Sequence, residues 1–84
     1  MPLALSISSH VVHGYVGNRA IVFPLQFCGW DVDVLNTTNY SNHPGYGTFK
    51  GSKSTSDQVE DIFEGLHEIL DLATYDVIIT GYTP

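Results

Sequence analysis

Three short stretches of the chain are apolar enough to form buried strands. Residues 3–8 (LALSIS) end at a polar serine–histidine segment, and residues 76–80 (DVIIT) are β-branched and uninterrupted. Residues 30–38 favour β structure and are followed by a stretch dense in turn-forming residues. The pattern therefore predicts three strands that are well separated along the chain.

The stretch before the third strand predicts an amphipathic helix. Its apolar residues recur at three- and four-residue spacing, at Val59, Ile62, Phe63, Leu66, Ile69 and Leu70. Thr55 and Gln58 have the spacing of a capping box, in which each side chain accepts a hydrogen bond from the backbone of the other. We expect this helix to begin near Thr55.

Another helix is predicted between the first and second strands. Asn18 is a candidate N-cap, the mostly apolar residues 19–28 follow it, and Gly29 supplies a C-terminal stop. Pro24 lies inside this helix and removes one backbone hydrogen bond. We therefore expect a kink at Pro24 or a shifted start.

Strands and helices alternate along the chain, which predicts an α/β fold of the form βαβαβ, with parallel strands and right-handed connections. A strand as apolar as residues 77–79 is expected inside a larger sheet that is covered by helices on both faces. Only two helices are available to cover it. We therefore expect residues 1–84 to be one partial domain.

Composition and charge exclude several classes of function. The chain has 84 residues, with three basic against nine acidic side chains and a net charge of −6, which would repel a phosphate backbone. Cys28 is the only cysteine, which excludes an intramolecular disulfide and favours a reducing compartment. No stretch approaches the ~20 apolar residues of a membrane span, and the N-terminus lacks the basic-then-apolar order that is typical of a secretory signal. We expect a cytoplasmic protein that binds neither nucleic acid nor membrane.

Polar residues gather where each predicted strand ends. Ser8, Ser9 and His10 follow the first strand, residues 36–43 follow the second, and residues 80–83 close the third. Ligands of open parallel sheets bind outside the carboxyl ends of the strands, and these hydroxyls, amides and phenols suit a small, flat, polar ligand. Because such loops are generally polar, the pattern is equally compatible with ordinary connections.

The segment from Asn39 to Lys53 holds more glycine, proline and aromatic residues than a connector needs. A glycine-hinged loop that carries aromatic rings can close over a bound ligand and exclude water, as phosphoryl transfer requires. A loop packed permanently on the sheet has the same composition. The sequence is compatible with a lid and with a fixed loop.

Three weaker patterns relate to other chemistry. The glycines of GYVGN (14–18) precede a helix and could present amides to an anion, but a tight turn explains them more simply. The pair His10 and His13 has no cysteine or carboxylate beside it to complete a metal site. Ser9, His10 and Asp31 formally supply a hydrolase triad without the strained GxSxG turn. We expect neither metal binding nor hydrolysis from these residues.

Three blocks of sequence together resemble one family. The blocks are SISSHVVHGYVGNRAIVFPLQFCGWDVDVLNT, YSNHPGYGTFKG and the closing TGY, and in this order and spacing they resemble pyridoxal kinases, most of all the eukaryotic form. The resemblance covers nearly the whole chain and implies the N-terminal part of a ribokinase-like three-layer α/β domain. It also implies transfer of the ATP γ-phosphoryl group to the 5'-hydroxymethyl group of pyridoxal, pyridoxine or pyridoxamine. Mg²⁺ and usually K⁺ would assist in a full-length homodimer.

The resemblance implies substrate-binding roles for particular residues. Ser9 matches the family serine that hydrogen-bonds the pyridine ring. The other matching positions line or close the ring pocket, and they are Val16, Thr38, Tyr40, Phe49 and Tyr82. Pro44 stands where the family often has a threonine whose hydroxyl contacts the vitamin, and proline offers no such donor. Either the vitamer preference differs, or Ser41 or the loop backbone substitutes.

The catalytic end of the family is missing from this sequence. Ribokinase-like kinases carry a GxGD segment near the C-terminus, whose amides stabilise the phosphoryl group and whose aspartate activates the hydroxyl, and residues 1–84 contain none. The chain alone is therefore expected to hold no catalytic residue and to be inactive. Two alternatives stay open: a non-catalytic module that binds pyridoxal weakly or docks onto a full-length kinase, and a ribokinase-like kinase of another vitamin, such as a hydroxymethylpyrimidine.

Overall fold

The computed structural model describes residues 1–81, in which strands and helices alternate around one parallel sheet. In chain order the elements are β1 (Leu3–Ser8), α1 (Asn18–Phe27), β2 (Asp31–Asn36), β3 (Thr38–Tyr40), β4 (Gly51–Lys53), α2 (Ser56–Ile69) and β5 (Val77–Thr80). Two single 3₁₀ turns, Pro44–Tyr46 and Leu72–Thr74, lie in the connections.

The parallel sheet has the strand order β2–β1–β5, so β1 is its central strand. Ala4 and Leu5 of β1 are fully buried because strands flank β1 on both sides and α1 packs against it and β2. This arrangement confirms the predicted α/β fold with parallel strands. The chain steps from β1 to β2 in one direction and returns across β1 to reach β5. Right-handed crossovers therefore place α1 and α2 on opposite faces of the sheet.

The start of α1 differs from the prediction. Gly17 occupies the N-cap position with φ 56° and ψ −129°, and no side chain caps the helix there. Asn18 is the first helical residue, and its side chain turns into the protein instead of capping. Pro24 lies inside α1, which nevertheless continues to Phe27, and Gly29 follows with φ 91°. The predicted C-terminal stop is confirmed, whereas the predicted N-cap is wrong by one residue.

The predicted second strand, 30–38, is divided in two by the structure. β2 ends at Asn36, and Thr37 leads into β3, which pairs antiparallel with β4 inside the segment predicted to be a loop. Thr37 is the branch point, because its backbone N–H donates to Ser8 O in the sheet (2.8 Å) while its carbonyl accepts from Ser54 N after β4 (2.8 Å). The hairpin thus leaves the sheet at the carboxyl end of β2.

Helix α2 begins as predicted but is less covered than its apolar stripe suggests. The Thr55 hydroxyl accepts from Gln58 N (3.2 Å), and Gln58 Oε1 accepts from Thr55 N (2.9 Å), which confirms the capping box. The apolar residues are at best half-buried, and Ile62 and Ile69 are exposed. Within residues 1–81, no helix is both long and apolar enough to cross a bilayer.

Strand β5 pairs with β1 but lies at an edge of the described sheet. Val77 and Ile78 expose 38% and 48% of their surface, because residues 1–81 place no strand beyond β5. The expectation that this strand is covered on both faces is therefore not met by this chain on its own.

The amino end of the sheet is held by polar bonds that join β1, β2 and β5. The hydroxyl of Tyr75 donates to Asp33 Oδ2 (2.6 Å), and Leu3 exchanges two hydrogen bonds of 2.8 Å with Asp76. Burial of the phenol and its hydrogen bond to the Asp33 carboxylate raise the pKa of Tyr75 to about 12. This end of the sheet is structural and lies opposite the polar strand ends.

Candidate functional site

A cavity of about 640 Å³ opens at the carboxyl end of β1. Its lining comes from three stretches of chain, within 8–11, 16–21 and 40–44, together with Gly81. The first stretch leaves β1, the second forms the first turn of α1, and the third lies between β3 and the following 3₁₀ turn. This is the edge at which ligands of open parallel sheets bind, and the volume suits a small molecule.

Four of the residues predicted to bind substrate come together in this cavity: Ser9, Val16, Tyr40 and Pro44. Phe49 does not line it but contacts the ring of Tyr40 in a tilted arrangement, with ring centroids 4.8 Å apart and 57° between the ring planes. Thr38 lies one layer below, buried, where its Oγ1 accepts from His10 N (3.2 Å) and donates to His10 O (3.4 Å). Tyr82 lies outside the described residues.

Ser9 occupies a tightly defined position at the mouth of β1. Only 8% of its surface is exposed, and its carbonyl accepts a hydrogen bond from Asn18 N (2.9 Å). Gly17 lies directly against it, and a Cβ at Gly17 would overlap both the carbonyl oxygen and the hydroxyl of Ser9. Glycine is therefore required here for close approach as well as for its positive φ. This packing supports the prediction that the glycines of GYVGN form a tight turn.

The segment predicted to be a lid is anchored at its base and free at its tip. Backbone N–H groups of Val12 and His13 donate to Tyr40 O and Ser41 O, both at 2.9 Å, so the base is bonded to the chain that follows β1. Beyond Ser41 the tip, residues 42–49, is mostly exposed and is bonded within itself, as by Asn42 Nδ2 to Thr48 O (2.8 Å). The structure thus combines a fixed base with a projecting tip that carries Pro44.

Several lining residues were not singled out as site residues from the sequence. Ala20 and Ile21 belong to the first turn of α1 and face the cavity because the helix begins beside Ser9. His43 also lines the cavity, and its Nδ1 accepts from Gly45 N (2.8 Å). The helical position of residues 20 and 21 after the glycine turn was the available signal. For His43 the sequence offered only its place among the polar residues after the second strand.

The hydroxyl of Ser8, at the carboxyl end of β1, is buried but not hydrogen-bonded within residues 1–81. It lies against Gly81, where a Cβ would overlap it. The carbonyl of Ser8, in contrast, accepts two hydrogen bonds, from Thr37 N (2.8 Å) and Asn18 Nδ2 (3.2 Å). The backbone of Ser8 is therefore firmly held while its hydroxyl contributes no bond.

The two weaker histidine patterns gain no support from the geometry. Parallel pairing sets Asp31 beside Leu3, at the opposite end of strands roughly 17–20 Å long from Ser9 and His10, so these three residues cannot form a triad. Among residues 1–81, no three His, Cys, Asp or Glu side chains lie together as a set of metal ligands. The cavity is instead lined mainly by apolar side chains, with the hydroxyl of Ser9 and the rings of Tyr40 and His43 among them.

Comparison with known proteins agrees with this arrangement. No family model matches the chain. It is 54% identical over 78 residues to pyridoxal kinase of Arabidopsis thaliana and 48% identical over 79 residues to pyridoxal kinase of Homo sapiens. These alignments cover 93% and 94% of this chain and 25% of each relative. Pyridoxal kinase from Leishmania donovani, solved in complex with ADP and pyridoxamine, matches with a TM-score of 0.91 and 49% identity over 95% of this chain and 28% of that chain.

The parallel sheet, its crossover helices and the cavity at its carboxyl edge are those of the ribokinase-like α/β class. Within that class, the chain is homologous to pyridoxal kinases, at about 50% identity along nearly its whole length. It spans about a quarter of the length of the curated relatives that it matches.

Proposed function

We propose that this chain is the N-terminal part of a pyridoxal kinase, and that it forms much of the vitamin-binding half of the active site. The reaction is ATP-dependent phosphorylation of the 5'-hydroxymethyl group of pyridoxal, pyridoxine or pyridoxamine. The observation that carries the proposal is the cavity beside β1, because it combines the Ser9 hydroxyl with the side chains of Val16 and Tyr40. Relatives named pyridoxal kinase along nearly the whole chain add their support.

The cavity suits a pyridine ring with polar substituents. Val16, Ala20 and Ile21 supply an apolar wall from the turn before α1 and its first turn, and Tyr40 supplies an aromatic surface from β3. Flat rings gain from stacking and apolar contact, while one directed hydrogen bond from Ser9 Oγ orients the ring. In this role the chain binds and orients the vitamin, and the chemical step is performed by groups elsewhere.

The nucleotide and the metal ions are assigned to polypeptide beyond this chain. Among residues 1–81, no three His, Cys, Asp or Glu side chains lie together as metal ligands, and the sequence contains no GxGD segment. We assign ATP, Mg²⁺ and K⁺ to the remainder of the domain, in a cytoplasmic homodimer. The apolar, exposed edge at β5 supports the idea that further strands complete the sheet.

The tip of the hairpin, residues 42–49, is assigned the role of a lid. Its base is bonded to residues 12 and 13, whereas the tip carries few bonds to the rest of the chain. Pro44 and His43 face the cavity from this tip. Closure over a bound vitamin would exclude water from the phosphoryl group, which protects ATP from hydrolysis.

The extent of the reading frame provides the first test. We expect the frame to continue past codon 84 and to reach a GxGD segment, and we expect the longer protein to phosphorylate pyridoxal with ATP. A genuine stop after Pro84, together with no turnover, would instead favour a non-catalytic module. Turnover of a hydroxymethylpyrimidine but of none of the three B6 vitamers would reassign the substrate.

The second test addresses Ser9 in the longer protein. Ser9→Ala removes the only hydroxyl proposed to contact the ring, and one such bond contributes about 0.5–1.5 kcal/mol, which corresponds to an increase in pyridoxal KM of roughly two- to tenfold. Ser52→Ala, on the exposed strand β4, is the matched control and should leave KM unchanged. An unaltered KM in Ser9→Ala would remove Ser9 from the site.

A further inference from the structure

Asn18 is a buried amide beside the cavity but not among its lining residues. Only 3% of its surface is exposed, and it opens α1 immediately after Gly17. A buried amide needs partners for both its oxygen and its N–H₂ group, since an unpaired one costs about 1–3 kcal/mol. The hydrogen-bond partners of Asn18 therefore indicate the function of its side chain.

All polar atoms of the Asn18 side chain are hydrogen-bonded to residues of β1 and β2. Its Oδ1 accepts from the hydroxyl of Ser6 (2.6 Å), in the middle of β1. Its Nδ2 donates to Ser8 O (3.2 Å), to Leu35 O (3.1 Å) and to Asn36 Oδ1 (2.8 Å). One side chain therefore ties the ends of two neighbouring strands to the start of α1.

The same residue also holds both peptide groups that flank Ser9. The side chain of Asn18 bonds the carbonyl of Ser8, which precedes Ser9, and the backbone N–H of Asn18 bonds the carbonyl of Ser9 itself (2.9 Å). Fixing the peptide planes on both sides of a residue fixes its φ and ψ, and with them the direction of its Cβ. Asn18 therefore helps to fix the direction of the Ser9 Cβ, together with Thr37 N, which also donates to Ser8 O (2.8 Å).

We propose that Asn18 is a positioning residue for the vitamin, which acts by setting the orientation of the Ser9 hydroxyl without touching the ligand. This inference rests on the proposed function, because it assigns Asn18 a role in the same site. It differs from a general structural role in its consequence: loss of the amide should weaken binding of the vitamin specifically, and should do so through Ser9.

The test uses the longer protein and begins with Asn18→Asp. Aspartate has the same shape but no N–H donors, so it would set an oxygen against the carbonyls of Ser8 and Leu35. We expect the KM for pyridoxal to rise about three- to tenfold, while the KM for ATP stays within about twofold. Steady-state kinetics with each substrate varied in turn give this comparison.

Tyr75→Phe is the matched control for lost stability. Tyr75 is buried and its hydroxyl donates to Asp33 Oδ2 (2.6 Å), at the opposite end of the sheet from Asn18 and the cavity. We expect it to lower the melting temperature without changing the pyridoxal KM. If Asn18→Asp also lowers only the melting temperature and leaves the pyridoxal KM unchanged, Asn18 is merely structural and the proposal is wrong.

A double-mutant cycle with Ser9→Ala decides whether Asn18 acts through Ser9. The effect of Asn18→Asp on the pyridoxal KM should largely disappear in the Ser9→Ala background, because the hydroxyl that it orients is gone. Equal effects in both backgrounds would overturn the proposal. If Asn18→Asp does not fold, Asn36→Ala replaces it, because this change removes only one of the acceptors of the Asn18 amide. It should raise the pyridoxal KM less than Asn18→Asp, and this rise should also disappear in the Ser9→Ala background.

Turnover by the wild-type protein distinguishes a failure of the proposed Asn18 role from a failure of the proposed function. Turnover of a B6 vitamer by the wild-type protein with an unchanged pyridoxal KM in Asn18→Asp overturns only the role of Asn18. No turnover of any of the three vitamers by the wild-type protein overturns the proposed function and this inference with it.

Discussion

The carboxyl edge of the sheet and the side formed by β5 and α2 differ in which side chains are buried and which are exposed. At the carboxyl edge, small polar residues are buried, among them Ser8, Ser9, Asn18 and Thr38. On the other side, large apolar residues are exposed, namely Ile62, Ile69, Val77 and Ile78. Ordinary globular proteins show the reverse preference at both places.

The contrast shows where the side chains of residues 1–81 satisfy one another and where apolar surface is left uncovered. Buried polar groups are tolerated where they are hydrogen-bonded, and Asn18 and Thr38 meet this condition with partners from within residues 1–81. Exposed apolar surface stabilises only when it is covered, by about 25 cal/mol per Å². The hydrogen bonds of Asn18 and Thr38 are therefore completed within residues 1–81, whereas the β5–α2 side presents apolar surface on which the proposed remainder of the domain would pack.

The largest expected effect is the loss of unfolding free energy when a buried side chain of β1 or a side chain of β5 is truncated. The comparison uses the 84-residue chain and the longer protein. Leu5→Ala should cost about 2–5 kcal/mol of unfolding free energy in the longer protein, because Leu5 is fully buried. Ile78→Ala should cost less than about 1 kcal/mol in the 84-residue chain, where the side chain is half-exposed, but about 2–5 kcal/mol in the longer protein. Urea denaturation measures each value. An equally small cost of Ile78→Ala in both lengths would mean that no further strand covers β5.

The next effect probes the close packing of the cavity edge. Gly17→Ala and Gly29→Ala both place a side chain at positive φ, but only the first would overlap Ser9, since nothing lies within 4 Å at Gly29. We expect Gly17→Ala to lower the unfolding free energy of the longer protein by about 1–3 kcal/mol more than Gly29→Ala. It should also weaken pyridoxal binding, which Gly29→Ala leaves intact. Equal stabilities of the two variants would contradict the tight approach of Gly17 to Ser9.

A smaller effect concerns the amino end of the sheet, which serves as a reference away from the cavity. Tyr75→Phe removes the bond to Asp33 and should cost about 1 kcal/mol at neutral pH. Because the folded pKa of Tyr75 is raised to about 12, above the usual value of 10, the folded state keeps the phenolic proton longer than the unfolded state. This contribution to stability is complete below pH 10 and is lost as the pH rises to 12.

Thermal melts between pH 9 and pH 12 test whether the stability contributed by Tyr75 is lost as the pH rises. The melting temperature of the wild type should fall more steeply over this range than that of Tyr75→Phe, and the two curves should converge. Parallel curves would show that Tyr75 titrates alike in both states. Vitamin binding should be unaffected by the substitution, because Tyr75 lies at the opposite end of the sheet from the cavity.

The smallest effect is a gain in stability at the cavity edge. The Ser8 hydroxyl is buried and has no partner within the described residues 1–81, so Ser8→Ala removes a desolvated polar group and should raise the unfolding free energy by about 0.5–1 kcal/mol. Ser6→Ala, which removes a hydroxyl that is bonded to Asn18, should lower it instead. A loss of stability in Ser8→Ala would indicate that the hydroxyl has a partner in the longer protein.

Local patterns in the sequence determined most of the elements. The apolar run of β1, the three- and four-residue spacing in α2 and the Thr55–Gln58 capping box are each produced by interactions between residues close in the chain, so each could be predicted. The resemblance to pyridoxal kinases, carried by three blocks in a fixed order, further indicated Ser9, Val16, Tyr40 and Pro44, which the structure brings together.

Only the tertiary structure decided the division of the second strand at Thr37, the hairpin of β3 and β4, and the burial of the Asn18 side chain. Each depends on partners distant in sequence: Thr37 bonds Ser8 and Ser54, and Asn18 bonds Leu35. From sequence alone, an asparagine before an apolar helix indicates an N-cap, because capping is the bond that local geometry offers. Folding instead brings two strand ends within reach of the amide, and the bonds made there hold the residue on which the proposed vitamin site depends.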